Sequence, residues 1–351
     1  MRWRVFLVTV GTVVLFGGCG DDSDSTTGPQ GPEPYTESID PNAPVWSLVG
    51  VQGTLQKFNL SVDSVLVERS WPPFDTSLEV IAADAGMLWA GTYQGLVLRL
   101  DTAGLSTLGA IEVTPVEHAR ITHIAARHGQ LWVADRVSSG PPRVHRIDKS
   151  ADTVIATVSV TDADSICFGV DIAPEAAYAL CGNPFTLAKI DISSNTVAAT
   201  LAVGENPDDP SGTRGAFRGT GLLAVVGPTG WVYDQQNRKL NRIDLTAMTI
   251  QATFDISDVV TSANAEMVAS TAGVFVSVAT PGVVYALDAS TGAVRNAWQS
   301  AANILKLSIT ADRLLALQAD HAMNCITEID PETMQTVHET GYDIYSSDID
   351  I

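Results

Sequence analysis

Residues 187–204 read LAKIDISSNTVAATLAVG, and their first five letters recur along the chain. The unit is apolar-x-x-apolar-Asp. It ends at Asp101 (VLRLD), Asp148 (VHRID), Asp191 (LAKID), Asp244 (LNRID), Asp288 (VYALD) and Asp330 (ITEID), and LQKFN, ending at Asn59, is an earlier relative. Successive copies lie 42, 47, 43, 53, 44 and 42 residues apart. A fixed period of this size marks an array of supersecondary units. Two short β-like runs precede each copy, as in EVIAAD and MLWAG (79–84 and 87–91). A turn such as DISSN follows, and then an alternating run such as TVAATLAV. That pattern predicts four antiparallel strands per repeat, joined by hairpins whose Gly, Asn and Asp accept positive φ. The recurrent Asp is expected to be structural, its carboxylate accepting backbone N–H groups of the turn.

Four short strands every 40–50 residues describe the blade of a β-propeller. Residues 187–204 and 143–160 (RVHRIDKSADTVIATVSV) resemble YVTN-type propeller repeats of bacterial surface and periplasmic proteins. GVVYALDASTGAV (282–294) resembles the repeat of pyrroloquinoline-quinone-type propellers. The resemblance implies an all-β fold, a seven-bladed propeller of four-stranded antiparallel blades. Strand counting adds a closure. The first blade has VWSLVG (45–50), TLQKFNL (54–60) and SVLVERS (64–70) but no innermost strand, whereas DIYSSDIDI (343–351) is left over at the C-terminus. A lone terminal strand exposes unpaired backbone groups. The expectation is that it completes the first blade.

The repeats begin near residue 44. Ahead of them, MRWR carries two arginines, Val5–Phe16 is an apolar run, and Gly17, Gly18 and Cys19 resemble a bacterial lipobox. The run is shorter than the roughly 20 residues of a membrane-spanning helix. Residues 1–18 are expected to be a lipoprotein signal peptide, with lipid attached at Cys19. Residues 19–43, rich in Gly, Pro, Asp and Ser, then form a disordered tether, and 44–351 the propeller. The expected location is the bacterial cell envelope, at the outer membrane facing the periplasm or the surface, with the membrane engaged through the N-terminal lipid alone.

With 40 acids against 20 bases the net charge is −20, which repels nucleic-acid phosphates and leaves no basic stripe for them. No nucleic-acid partner is expected, and the protein is expected to be a monomer. Function gathers on loops held by a rigid scaffold. Here those are the loops between the second and third strands and between blades, which share one face. The binding candidates are therefore Tyr93, Arg136, Phe185, Arg214, Arg218 and His321. The last two arginines sit in ENPDDPSGTRGAFRGTG (205–221), the insertion behind the 53-residue spacing. Clustered arginines suit a carboxylate or phosphate.

His118, His123 and His128 recur every five residues, which fits neither same-face period. TDADS (161–165) and NPDDPSG (206–212) lack the EF-hand spacing. No metal site and no catalytic residue is read, and no cofactor is expected; a loosely held Ca²⁺ in the long loop is left open without support from the spacing. Cys167 and Cys181 flank Pro174 equally, so a register centred there places them face to face for a disulfide; a one-residue slip separates them, leaving two buried thiols. With Cys325 the cysteines after Cys19 number three, so at least one thiol is left outside any disulfide within the chain. These features point to a non-enzymatic binding or scaffold module for a protein or small ligand. The alternatives are a propeller enzyme, resembling virginiamycin B lyase or a quinoprotein dehydrogenase, and a scaffold resembling the propeller lipoprotein of outer-membrane β-barrel assembly.

Overall fold

The computed structural model describes residues 45–49, 54–59, 64–70, 78–84, 86–114, 120–136, 140–160, 167–182, 185–204, 222–234, 237–260, 265–300, 302–309, 313–319 and 324–342. They form 27 strands in seven antiparallel sheets. The first sheet has three strands: β1 (Val45–Val49), β2 (Thr54–Asn59) and β3 (Ser64–Ser70). Six four-stranded blades follow. Blade 1 is β4 (Leu78–Asp84), β5 (Met87–Thr92), β6 (Leu96–Asp101) and β7 (Thr107–Glu112). Blade 2 is β8 (Arg120–Arg127), β9 (Gln130–Arg136), β10 (Arg143–Asp148) and β11 (Thr153–Ser159). Blade 3 is β12 (Cys167–Ala173), β13 (Ala176–Cys181), β14 (Thr186–Asp191) and β15 (Thr196–Ala202). Blade 4 is β16 (Leu223–Val226), β17 (Thr229–Asp234), β18 (Lys239–Asp244) and β19 (Thr249–Asp255). Blade 5 is β20 (Ala265–Ser270), β21 (Gly273–Val278), β22 (Val283–Leu287) and β23 (Val294–Gln299). Blade 6 is β24 (Asn303–Ile309), β25 (Leu314–Ala319), β26 (Asn324–Ile329) and β27 (Thr336–Tyr342).

The count corrects the sequence expectation: there are six complete blades, not seven. The expected first blade is present as the three-stranded sheet. Residues 343–351, expected to complete it, lie outside the described residues. Among the described residues no C-terminal strand closes the ring, and β27 pairs with β26 alone. The strand count overreached because it matched a leftover alternating segment to a vacancy in the first blade, and alternation fixes a face but not a neighbour.

The innermost strands β4, β8, β12, β16, β20 and β24 lie side by side in chain order. Apolar clusters fill the seams between sheets. Leu55 packs with Leu78 and Leu88, tying the first sheet to blade 1; Val80 and Trp89 meet Ile121 and Leu131 between blades 1 and 2. Phe275 and Trp298 meet Ile304 and Leu314 between blades 5 and 6. Burying side chains of this size stabilises by about 1.5–3 kcal/mol each. The outer strands read differently: β15 alternates exposed and half-buried positions, as an outermost strand facing water should.

The recurrent Asp does the turn work expected of it. Asp191 Oδ1 accepts the backbone N–H of Ser193 at 2.7 Å and of Ser194 at 2.9 Å. Asp101, Asp148, Asp244, Asp288 and Asp330 accept the corresponding pairs. Hydroxyl donors Ser150, Ser193 and Ser290 at Asp148, Asp191 and Asp288, and the backbone N–H groups at all six, hold the carboxyls below the usual carboxylate range. The turn then needs positive φ four residues on, which Asn195 (54°) and Gly292 (70°) supply cheaply and Leu105 (58°) does not.

A second regularity ties blades together. Two residues before the Asp stands a cation in blades 1 to 4. Its head donates to the carbonyl just after the Asp of the following blade: Arg99 to Lys149 (3.2 Å), Arg146 to Ile192 (2.6 Å), Lys189 to Leu245 (3.1 Å) and Arg242 to Ala289 (3.0 Å). Blade 5 has Ala286 at that place, and Asn296 donates to the Thr333 carbonyl of blade 6 instead, at 2.8 Å.

Candidate functional site

Two groups of polar side chains depart from the repeat. The first lies at the face carrying the loops between second and third strands. Arg120 opens β8 and stands directly opposite Arg136, which ends β9. Arg120 reaches toward blade 1, where its guanidinium donates to Glu79 Oε2 at 2.6 Å and lies 5.6 Å from the ring centre of Tyr93. Tyr93 sits in the turn after β5 and is 47% exposed. Burial pushes the Glu79 carboxyl up, and Arg120 pulls it back only in part. On the neighbouring position of blade 2, Arg143 donates to Asp135 Oδ2 at 2.6 Å. Asp135 is sealed from water; it also accepts from the Thr114 hydroxyl, and His145 Nε2 lies 3.2 Å away. Burial alone would raise the Asp135 carboxyl, but contacts with His145, Thr114 and Arg143 outweigh it and hold it low. His145 is fixed in turn by Thr157 at 3.0 Å. No ion pair to Arg136 occurs among the described residues.

The second group lines the centre. Pairing with the second strands puts Val80, His123, Gly169, Glu266 and Lys306 at one step of the inner strands. Lys306 Nζ lies 3.3 Å from Glu266, which also accepts the Leu307 N–H at 3.3 Å. Burial, helped by the charge of Lys306, pushes the His123 imidazole down to about 3. Blades 2 and 6 are not neighbours, so this influence acts across the middle of the ring.

The residues singled out from the sequence fall unevenly over these groups. Tyr93 and Arg136 belong to the first, together with Arg120, Glu79 and Arg143, which sequence reasoning did not single out. Arg120 was legible as the end of PVEHAR, but its register against Arg136 was not. Phe185 is buried, its ring 5.1 Å from that of Phe168 in an edge-on contact, so it packs blade 3 and presents nothing at the surface. Arg214, Arg218, His321 and Cys19 lie outside the described residues. Cys167 and Cys181 face each other and are joined by a disulfide. Their register is not centred on Pro174, since Ala173 pairs with Ala176; a bulge at Phe168 absorbs one residue and brings the sulfurs opposite. Cys325 is half-buried and in no disulfide, its sulfur accepting from Gln318 Nε2 at 3.8 Å. No group of three or more His, Cys, Asp or Glu side chains is placed to hold a metal among the described residues.

Solved structures share the architecture at low identity. BamB from Moraxella catarrhalis matches at 14% identity over 79% of this chain and 78% of that one, with a TM-score of 0.55. The computationally designed protein Ika8 matches at 14% identity over 87% and 86%, with a TM-score of 0.59. A chain of the mitotic checkpoint complex matches at 12% identity over 84% and 94%, with a TM-score of 0.58. The fold is a β-propeller. At these identities the likeness reaches the fold and no further, and propellers host many activities. No protein-family model and no curated protein sequence matches the chain.

Proposed function

We propose that this protein is a binding or scaffold propeller of the cell envelope, held there by lipid on Cys19 and working without catalysis. The observation that carries the binding role is the meeting of Tyr93, Arg120 and Arg136 on the loop face. Tyr and Arg are the residues most enriched at the energetic centres of protein interfaces, and here they stand together on a chain of net charge −20. The fold likeness to BamB and to a chain of a multiprotein checkpoint assembly supports a protein partner. The anchor rests on the arginine-led apolar run before Cys19.

The test is site-specific photo-crosslinking in cells, with the crosslinker at position 93 and a control at Ile155 on outer strand β11. A discrete adduct from position 93 alone, lost when Arg120 and Arg136 are both changed to Glu, is the expected result. Equal labelling from both positions would end the proposal. For the anchor, labelled palmitate should enter the wild type and not Cys19→Ala.

A second reading is a small-ligand propeller, or an enzyme of lyase type. It is favoured by one observation, the convergence of His123, Glu266 and Lys306 at the centre. The neighbouring inner strands carry Val80 and Gly169 at that step, so the fold itself does not demand polar groups there. Saturable binding of a small metabolite, abolished by Lys306→Met, would favour this reading over the first.

A further inference from the structure

The geometry points to the loop-face patch where blades 1 and 2 meet as a docking site for an acidic protein segment, whose carboxylates seat on Arg136 and Arg120 beside the Tyr93 ring. The inference rests on the loop-face binding role proposed above and gives it a chemistry.

Like charges directly opposite on paired strands are destabilising. Arg120 and Arg136 are such a pair, on one face of blade 2. The structure neutralises the cations around them. Arg120 has Glu79 at 2.6 Å, and Arg143, on the other face, has Asp135 at 2.6 Å. Arg136 has no carboxylate among the described residues, in a chain with twice as many acids as bases. In a chain with 40 carboxylates, a guanidinium that none of the described ones pairs, set opposite another at the end of its strand, costs stability. Arg120 reaches toward blade 1, where Tyr93 is exposed and already lies against its guanidinium. Glu79 braces Arg120 from below in a poorly solvated position, so the head group is held in place before any ligand arrives. Preorganised guanidinium forks donate bidentately to carboxylates. An acidic segment is the occupant that charge complementarity selects. The net charge of −20 opposes non-specific attachment of such a segment to the rest of the molecule.

The probe is a fluorescein-labelled deca-glutamate peptide, followed by anisotropy with the full chain in about 50 mM salt, where screening is moderate. Saturable binding is expected, weakened about ten-fold or more by Arg136→Glu and several-fold by Tyr93→Ala. Lys239→Glu, at the start of β18 on the same loop face, should change it less than about two-fold, well below the effect of a direct contact. Arg136→Gln should weaken binding while raising the thermal midpoint, because it relieves the like-charge pair; a purely structural arginine would lower it. Inorganic phosphate should displace the peptide no better than sodium chloride of equal ionic strength. The proposal is overturned by absent saturation, by equal losses in Arg136→Glu and Lys239→Glu, by a lowered midpoint in Arg136→Gln, or by specific displacement with phosphate. Failure of the binding role itself is distinguishable. A position-93 adduct that deca-glutamate does not block removes the acidic chemistry alone, whereas no adduct removes the role.

Discussion

Blades 2 and 3 solve the same structural problem by different chemistry. At the end of the second strand, one side chain must secure the blade near the loop face. In blade 2 it is Asp135, sealed from water and gripped by Arg143, Thr114 and, through His145, Thr157. In blade 3 the equivalent position is Cys181, bonded covalently to Cys167 across the two innermost strands. The first device is polar, reaches three strands of its own blade and depends on protonation. The second spans two strands and depends on oxidation. One repeat template therefore tolerates a charge network or a cross-link at one place, and the two blades should fail under different conditions.

The largest effect is expected from breaking the polar device. Asp135→Ala leaves Arg143 and His145 without their shared carboxylate and should cost about 3–4 kcal/mol, as loss of one partner of a buried pair does; urea unfolding measures it. Opening the disulfide comes next. Cys167 and Cys181 are 14 residues apart, a loop worth about 3 kcal/mol in the chain-entropy picture. Cys167→Ala/Cys181→Ala should lower the thermal midpoint and remove the sensitivity of that midpoint to reductant.

Acid separates the blades more finely. The Asp135 carboxyl is held low in the folded state, so its stabilisation is complete above the unfolded value near 4 and is lost as pH falls below it. Hydrogen exchange between pH 6 and pH 3 should show protection falling in β9 and β10 before β12 and β13. Equal loss in both would collapse the distinction. His123 adds a slope at milder pH. Its folded value of about 3 lies below the unfolded 6.5, so the unfolded chain takes up a proton first as pH drops through 6.5. Stability should decline by up to one proton's worth from pH 6.5 toward 3, and His123→Leu should flatten that slope. The smallest effect concerns the seam that lacks a cation: Asn296→Ala, which removes the donor to the Thr333 carbonyl, should destabilise by about 0.5–1.5 kcal/mol, read from urea midpoints.

The repeat was legible because it is local. The Asp and its turn are a five-residue device, and a carboxylate capping nearby N–H groups follows from sequence alone. The interblade cations were on view in VLRLD, VHRID, LAKID and LNRID, yet passed as filler, because their acceptors lie 46 to 56 residues further on. The blade count erred for a related reason. DIYSSDIDI alternates like a strand, but nothing in alternation names its partner. At the site, Tyr93 and Arg136 were visible as departures from the repeat. Arg120 was hidden by its position at a strand start, where only register sets it against Arg136. Phe185 misled because a loop aromatic and a core aromatic look alike until burial is known. The disulfide turned on the bulge at Phe168, a one-residue irregularity that spacing cannot announce.

The cation-to-carbonyl clasp also bears on how such a chain grows. Donor and acceptor sit on opposite sides of the same Asp, two residues before it and one after, so each repeat carries both halves of the joint. A duplicated copy inserted among blades 1 to 4 arrives able to grasp its successor and be grasped by its predecessor, with no compensating change elsewhere. Ala286 interrupts that interchangeability, and blade 6 is joined by a bond of its own making. The number of blades is thus an open variable on one side of the ring, and a settled one at the seam where the template stops.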